Sequence, residues 1–393
     1  MTGQSLRHLA ELGLGLGWEW YLLGPAGSAA SGLAGASRIA AVPLAAGIVL
    51  GLGALAWREW HGRGARLDEA RALEGLAPAW ALAAPLLFLA SAAPVHLHYQ
   101  LVSLPALFLA LAGLAERREL RVIVVGLVIG IAVFQAGAMR QALDLIARRA
   151  WPGGLGTPLE WPRAAARAVM DGRPVVVHAA GDEAETVGEV AGFEVLLWDY
   201  PHQIVDGRSV LLAPAGGGRM LATFPDLGAV AEAESAGLAS ERMELPRRAG
   251  DPPYVALTLS DRDPGGLQAM APVRLANGAV LRGWQTRGAA GRLRVVTWWE
   301  VAGPIAPGDY HVFNHLRAAG APDPIAIQDA PASSPAWRVG DRMLVWADLD
   351  PPAAGPLFVD VGMYTWPDIA RVAALDRAGD PLAPIRLGPL EWP

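Results

Sequence analysis

The 393-residue chain is 53% hydrophobic and carries a net charge of −6, from 32 basic and 38 acidic side chains. It has no Cys, which excludes disulfides and thiolate metal sites. Its acidic balance argues against nucleic acid, which needs a phosphate-neutralising surface.

The charge is unevenly distributed along the chain. Residues 1–150 hold 12 Arg against 9 acidic residues, and residues 151–393 hold 20 against 29. Within residues 1–37, an amphipathic stretch at 5–23 mixes Arg7, Glu11 and Glu19 with leucines and tryptophans. That pattern predicts an interfacial or re-entrant segment rather than a span. The region 38–150 then contains four uncharged apolar runs, near 39–57, 76–94, 95–115 and 122–139. Each is about the length that crosses roughly 30 Å of hydrocarbon as a helix, so a transmembrane bundle of about four spans is expected. Arg-rich loops at 58–75 and 116–121 contrast with the Arg-free turn at 94–98. The positive-inside rule puts those two loops in the cytoplasm and the carboxy-terminal region outside, giving a multi-pass cell-membrane protein with extracytoplasmic domains.

Residues 151–253 alternate helix and strand patterns: a helix at 162–171, a strand at 173–179, and a helical stretch near 183–197. A strand pair at 203–205 and 209–213 turns at Asp206-Gly207, before a strand at 220–224, a helix at 227–236 and a strand at 242–245. This predicts a small α/β domain. Residues 254–393 consist of short β-rich runs separated by turn signals such as Asn277-Gly278 and Pro307-Gly308. They predict an antiparallel β-sandwich with Trp298, Phe313, Trp346 and Phe358 in its core. The expected fold class is therefore multi-domain: an α-helical transmembrane bundle, a small α/β domain and a β-sandwich.

Several short motifs carry a resemblance. Pro94-Val95-His96-Leu97-His98-Tyr99-Gln100, followed by Leu104-Pro105-Ala106, resembles the late spans of bacterial polyprenyl-phosphate-dependent glycosyltransferases. These are the GT-C, glycosyltransferase 39 type, related to protein O-mannosyltransferases and aminoarabinose transferases. Pro201-His202-Gln203-Ile204-Val205-Asp206, Trp298, Asp309-Tyr310, Val312-Phe313-Asn314-His315-Leu316, Gln328-Asp329, Pro331, Trp337 and Gly340 resemble the carboxy-terminal domains of such proteins. The resemblance covers roughly residues 76–393. It implies an integral-membrane enzyme that moves a sugar from a polyprenyl-phosphate carrier to an extracytoplasmic acceptor, with membrane lipid as its third partner. In that family the catalytic base is a carboxylate in the first outer loop. Here only Glu11 and Glu19 precede the first apolar run, in no matching context. The resemblance thus implies the carboxy-terminal portion of the enzyme, with the catalytic residues unknown.

Candidate binding residues follow. His96, His98 and Tyr99 lie at the outer turn between two expected spans, where they suit a lipid-linked phosphate or sugar or, on the plain reading, an interfacial aromatic belt. Arg38, at the edge of the first run, suits the same phosphate or a snorkelling anchor. Asp329 and Trp337 combine a carboxylate with an aromatic face, as a glycan site would, or are a turn Asp and a core Trp. His178, Asp182, Glu183 and Glu185 follow a strand, where a solvated loop competes with a site. No cofactor is evident, and a divalent metal is not implied. The rival function is a non-catalytic membrane-anchored module presenting a glycan- or protein-binding sandwich. A transporter fits poorly, because no apolar run carries an ionisable Asp, Glu, Lys or Arg.

Overall fold

The computed structural model describes residues 18–31, 33–61, 76, 79–81, 83, 86–87, 102–152, 154–183, 187–289, 291–351 and 356–390. The chain divides into two compact units, Met1–Gly156 with Arg248–Gly250, and Thr157–Arg247 with Asp251–Pro393.

The first unit is helical, with α1 (Trp18–Ser31), α2 (Leu33–His61), α3 (Leu104–Ala115) and α4 (Arg118–Arg148). Gly24, at φ 66°, breaks α1 ahead of Pro25, where the proline ring disfavours a helical predecessor and glycine tolerates the left-handed backbone. Leu23 of α1 packs with Ala138, Ala142 and Ile146 of α4. The contact of α2 with α3 depends on small residues, as helix pairs in lipid commonly do. A Cβ on Gly51 would run into the Ala110 backbone carbonyl, while Leu55 and Ala110 bury each other alongside. The buried Arg248 side chain donates hydrogen bonds to the carbonyls of Ile146 (3.0 Å) and Leu155 (3.1 Å). A cation thereby satisfies a terminal carbonyl of α4 and complements the negative end of the helix dipole.

Among the described residues, α4 is the one helix long and apolar enough to cross a membrane. It contains the expected run at 122–139. The expectation of four membrane-length spans is corrected accordingly. The run at 39–57 lies in α2, whose apolar part is the shorter Ala45–Trp57. Of 95–115, helix α3 covers only Leu104–Ala115, starting with Pro105 in its first turn and ending before Glu116 and Arg117. Most of 76–94 lies outside the described residues.

In the second unit, α5 (Glu160–Val169), β1 (Val175–Ala179), α6 (Gly188–Leu196), β2 (His202–Asp206), β3 (Val210–Ala213), β4 (Gly218–Ala222), α7 (Gly228–Ser235), β5 (Ala239–Leu245) and β6 (Tyr254–Leu259) come first. They build a five-stranded sheet of order β2-β1-β4-β6-β5, with β2, β1 and β4 mutually parallel. One face packs Val175, Val177, Leu221 and Tyr254 against α5 and α6. The other packs Met220, Val255 and Leu257 against α7.

The following strands are β7 (Gln268–Leu275), β8 (Ala279–Ala289), β9 (Arg292–Val301), β10 (Tyr310–Ala318), β11 (Ala326–Ile327), β12 (Ala330–Pro331), β13 (Arg342–Leu349), β14 (Leu357–Thr365), β15 (Ala370–Arg371), β16 (Ala374–Leu375) and β17 (Ile385–Leu390). One six-stranded sheet runs β16-β7-β8-β9-β13-β3. The other runs β11-β10-β14-β15, with β12 on β10 and β17 on β14. Alternate residues of β9 and β13, such as Val295, Trp299, Met343 and Val345, meet Val312, Leu316, Val359 and Val361 in a common core. The antiparallel two-sheet architecture agrees with the expectation. Three details differ.

First, 210–213 does not form a hairpin with β2; it pairs antiparallel with β13, from Ala213↔Arg342 to Val210↔Val345. Four consecutive buried residues make β3 an edge strand of the six-stranded sheet that is covered on both faces, rather than a half-solvated hairpin arm. Second, β6 belongs to the α/β sheet, between β4 and β5, which moves the domain boundary beyond Leu259. Its nearly continuous burial suits a strand covered on both faces. Third, Trp299, not Trp298, enters the sandwich core, where its Nε1 donates to Thr297 Oγ1 at 2.8 Å. Trp298 is half-buried on the opposite face, since successive strand residues point to opposite sides. Phe313 and Trp346 are buried, but not in the sandwich core where they were expected: Trp346 packs with Met220 and Val230 on the α/β side of its sheet, Phe313 lies beside His315 on the face opposite Val312, and Phe358 is half-buried.

Two outcomes follow. Gly51→Val should destabilise the helical unit by about 1–3 kcal/mol through overpacking, whereas Gly53→Ala, with no neighbour within 4 Å of its Cβ, should be near neutral. Thermal unfolding of both variants in detergent checks this; equal midpoints would contradict the close α2–α3 approach. His178 tests the second unit: it is fully buried on β1, and its Nε2 accepts the Leu212 N–H at 3.1 Å. Burial pushes its pKa down to about 3. The unfolded chain binds a proton near pH 6.5, so this contribution is complete above that pH and is lost as pH falls toward 3. The loss is on the order of 4 kcal/mol by pH 3. His178→Gln, which keeps an acceptor for Leu212, should flatten the acid limb of a stability–pH curve. An unchanged limb would assign it to other groups.

Candidate ligand cleft of the globular unit

A cleft of about 740 Å³ opens at the carboxyl ends of β1 and β2. Open α/β sheets place ligands beyond the carboxyl ends of their strands, because the turns there expose backbone and side-chain polar groups. One wall is the segment after β1, with Asp182 and Glu183, together with His202, Asp206 and Arg208 around β2. The opposite wall comes from the sandwich: Asp309 and His311 at the start of β10, Ser333 and Ala336 near the 3-10 turn Ser334–Ala336, and Trp366 after β14.

Acidic side chains dominate the lining. Asp182 has its pKa raised by burial, and Asp206, Glu183 and Asp309 push it the same way. A carboxyl held up by desolvation and like charges is suited to exchanging protons at a site. Asp206 is buried and holds the Arg208 guanidinium in a two-pronged hydrogen bond, which raises the Arg208 pKa; the Arg208 backbone N–H also donates to it at 3.0 Å. His202 is positioned by the Tyr200 carbonyl at Nδ1 (2.9 Å) and the Glu194 carboxylate at Nε2 (2.7 Å).

Asp341 holds the base of the cleft together. Its carboxylate accepts hydrogen bonds from Gln203 Nε2 (2.6 Å), the Arg338 N–H (2.8 Å) and the Ala215 N–H (3.2 Å). Gln203 also donates to the Ala336 carbonyl at 2.6 Å, linking β2 to the 3-10 turn. Burial raises the Asp341 pKa despite these donors.

An aromatic stack forms the far wall. Trp366 lies against His311, with ring centroids 5.2 Å apart and planes inclined by 23°. His311 in turn lies 5.4 Å from Tyr364. The Trp366 backbone N–H donates to the Asp309 backbone carbonyl at 2.7 Å, which brings the two residues side by side.

The sequence-derived site residues are distributed otherwise. His96, His98 and Tyr99 lie outside the described residues, and Arg38 lies in α2 with its side chain outside them. Trp337 is buried in the sandwich core, stacked on Tyr310 at 5.6 Å, so its faces are covered by protein rather than offered to a glycan. Asp329 accepts from Tyr364 Oη at 2.7 Å and lies 3.7 Å from His315 Nε2. Burial raises its pKa, but the nearby His315 and the hydrogen bond from Tyr364 outweigh that and leave it below the usual carboxylate range. The combination of an aromatic face with a carboxylate occurs instead at Trp366 and Asp309. The pattern Trp366-Pro367-Asp368, a Trp entering a turn, is the sequence signal for it. Asp182 and the exposed Glu183 lie in the loop after β1, at the lining of the cleft, His178 is core, and Glu185 lies outside the described residues. Among the described residues, no group of three His, Asp or Glu side chains is placed to hold a metal ion.

Comparison with protein families, curated proteins and solved structures finds no match to this chain.

Asp341→Ala should cost about 3–5 kcal/mol, because buried donors on Gln203, Arg338 and Ala215 lose their acceptor. Asp341→Asn should cost less. Denaturant unfolding of the two variants checks the order, and a neutral Ala substitution would remove Asp341 from its structural role.

Proposed function

We propose that this chain is the carboxy-terminal membrane and globular part of a transferase that moves a sugar from a polyprenyl-phosphate carrier to an extracytoplasmic acceptor. Its catalytic carboxylate belongs to helices other than those described. The observation that carries the membrane half of this reading is the surface of α4. Val122, Ile123, Ile129 and Val133 are 80%, 66%, 58% and 69% exposed. Such a surface is unfavourable in water and favourable in hydrocarbon. Arg117, Arg118 and Arg121 at the start of α4 support a cytoplasmic end there and, with it, an outer location for the globular unit. The cleft supplies what a sugar-handling domain needs: hydrogen-bond acceptors, a guanidinium and an aromatic face. His98, Tyr99, His96 and Arg38 are assigned to the carrier phosphate.

The second reading is a membrane-anchored binding module without transfer activity. The cleft favours it, since its walls come entirely from the globular unit.

The full chain in lipid nanodiscs should retain undecaprenyl phosphate in preference to phosphatidylglycerol, measured by native mass spectrometry. The double variant His98→Ala/Tyr99→Ala should lose about tenfold or more of that preference, as expected when charge-assisted hydrogen bonds to phosphate are removed. No preference in the unaltered chain would leave the binding module as the better account. Orientation has its own check, since the chain lacks Cys. A membrane-impermeant maleimide should label Ala319→Cys, an exposed position, in intact cells. Labelling only after lysis would reverse the topology.

A further inference from the structure

The cleft has features that select among sugars. Trp366 is 52% exposed although it is one of the largest apolar side chains, and it is stacked against His311 on one side. A ring backed in this way loses little further freedom when a second flat, C–H-rich surface covers its other face. The axial face of a pyranose ring is such a surface. Asp309, joined to Trp366 by the 2.7 Å backbone hydrogen bond, lines the same cleft and offers it a carboxylate for ring hydroxyls. The volume of about 740 Å³ suits two or three sugar units.

The charge of the lining limits which sugars fit. Asp182, Glu194, Asp206 and Asp309 face the cleft, against Arg208 and His202. Arg208 is engaged by Asp206 and His202 by Glu194, so the field left over is negative. An incoming phosphate or uronate meets repulsion there, and a neutral ring does not.

We infer that this cleft is a glycan subsite selective for uncharged sugar rings over anionic ones, with Trp366 as its stacking platform and Asp309 as a hydroxyl acceptor. The inference rests on the reading that the chain handles glycans. It adds that the carrier phosphate is excluded from the globular unit and that the cleft holds the sugar or its saccharide acceptor.

The test is calorimetric titration of the full chain in nanodiscs with neutral gluco-, manno- and galacto-configured trisaccharides and with trigalacturonate. At least one neutral trisaccharide should bind about tenfold more tightly than trigalacturonate at low salt, and 0.5 M salt should narrow that gap. Trp366→Ala should weaken neutral binding about tenfold with an unchanged unfolding midpoint, and Trp366→Phe should restore part of it. Asp309→Asn should raise affinity for trigalacturonate. Absence of neutral binding, equal affinity for the uronate, or full affinity in Trp366→Ala would each overturn the inference. Undecaprenyl phosphate retention, measured on the same preparations, separates the two proposals. Retention without a Trp366 effect leaves the transferase reading standing and removes the subsite. A Trp366-dependent trisaccharide site without retention does the reverse.

Discussion

The globular unit depends on one strand that leaves its own sheet. After β2, the chain turns at Asp206–Arg208 and enters β3, which pairs with β13 rather than returning to the α/β sheet. Strand pairing satisfies the backbone groups of β3 at a sheet edge, and its side chains fill both neighbouring cores: Val210 and Leu212 on one side, Leu211 and Ala213 on the other. The α/β layer and the sandwich therefore share apolar cores instead of meeting through a linker. His178 completes this join from β1, since the imidazole accepts the Leu212 N–H where a purely apolar residue would leave that group unpaired.

The cleft is a consequence of the same join. Bringing the carboxyl ends of β1 and β2 against the first residues of β10 leaves a polar gap between two rigid sheets. Asp341 and Gln203 hold the base of that gap in one geometry, and the Asp206–Arg208 pair shapes its rim. Sites mounted on sheet ends are more precise than sites on free loops, because their backbones are already committed to ladders. The same arrangement concentrates carboxylates. Asp182, Asp206 and Asp309 come from three separate segments, and none is unusual until the fold puts them around one space.

In the helical unit the governing constraint is the absence of large side chains where helices approach. Gly51 meets Ala110, and Ala138 and Ala142 meet Leu23. In lipid, where apolar burial contributes little to helix association, such close approaches allow the dispersion contacts that hold a bundle. Val122, Ile123, Ile129 and Val133 are left exposed on α4.

The sequence by itself determined the broad partition: apolar helices first, then an α/β segment, then an antiparallel two-sheet domain. Local periodicity and turn residues carry that information, since each element's burial pattern is written in consecutive positions. It did not pick out the core aromatics: Trp299, Tyr310 and Trp337 fill the sandwich core, while Phe313 and Trp346 are buried on other faces. Which strand joined which sheet was decided only by tertiary structure. β3 and β6 are short, apolar on both faces and without alternation, so their patterns fit several pairings equally well, and only packing selects one. The distinction between Trp298 and Trp299 is a one-residue matter of register, invisible to composition. The exposed face of Trp366 and the burial of Trp337 are likewise set by neighbours distant in the chain, which is why a site made from several separate segments was not legible as a motif.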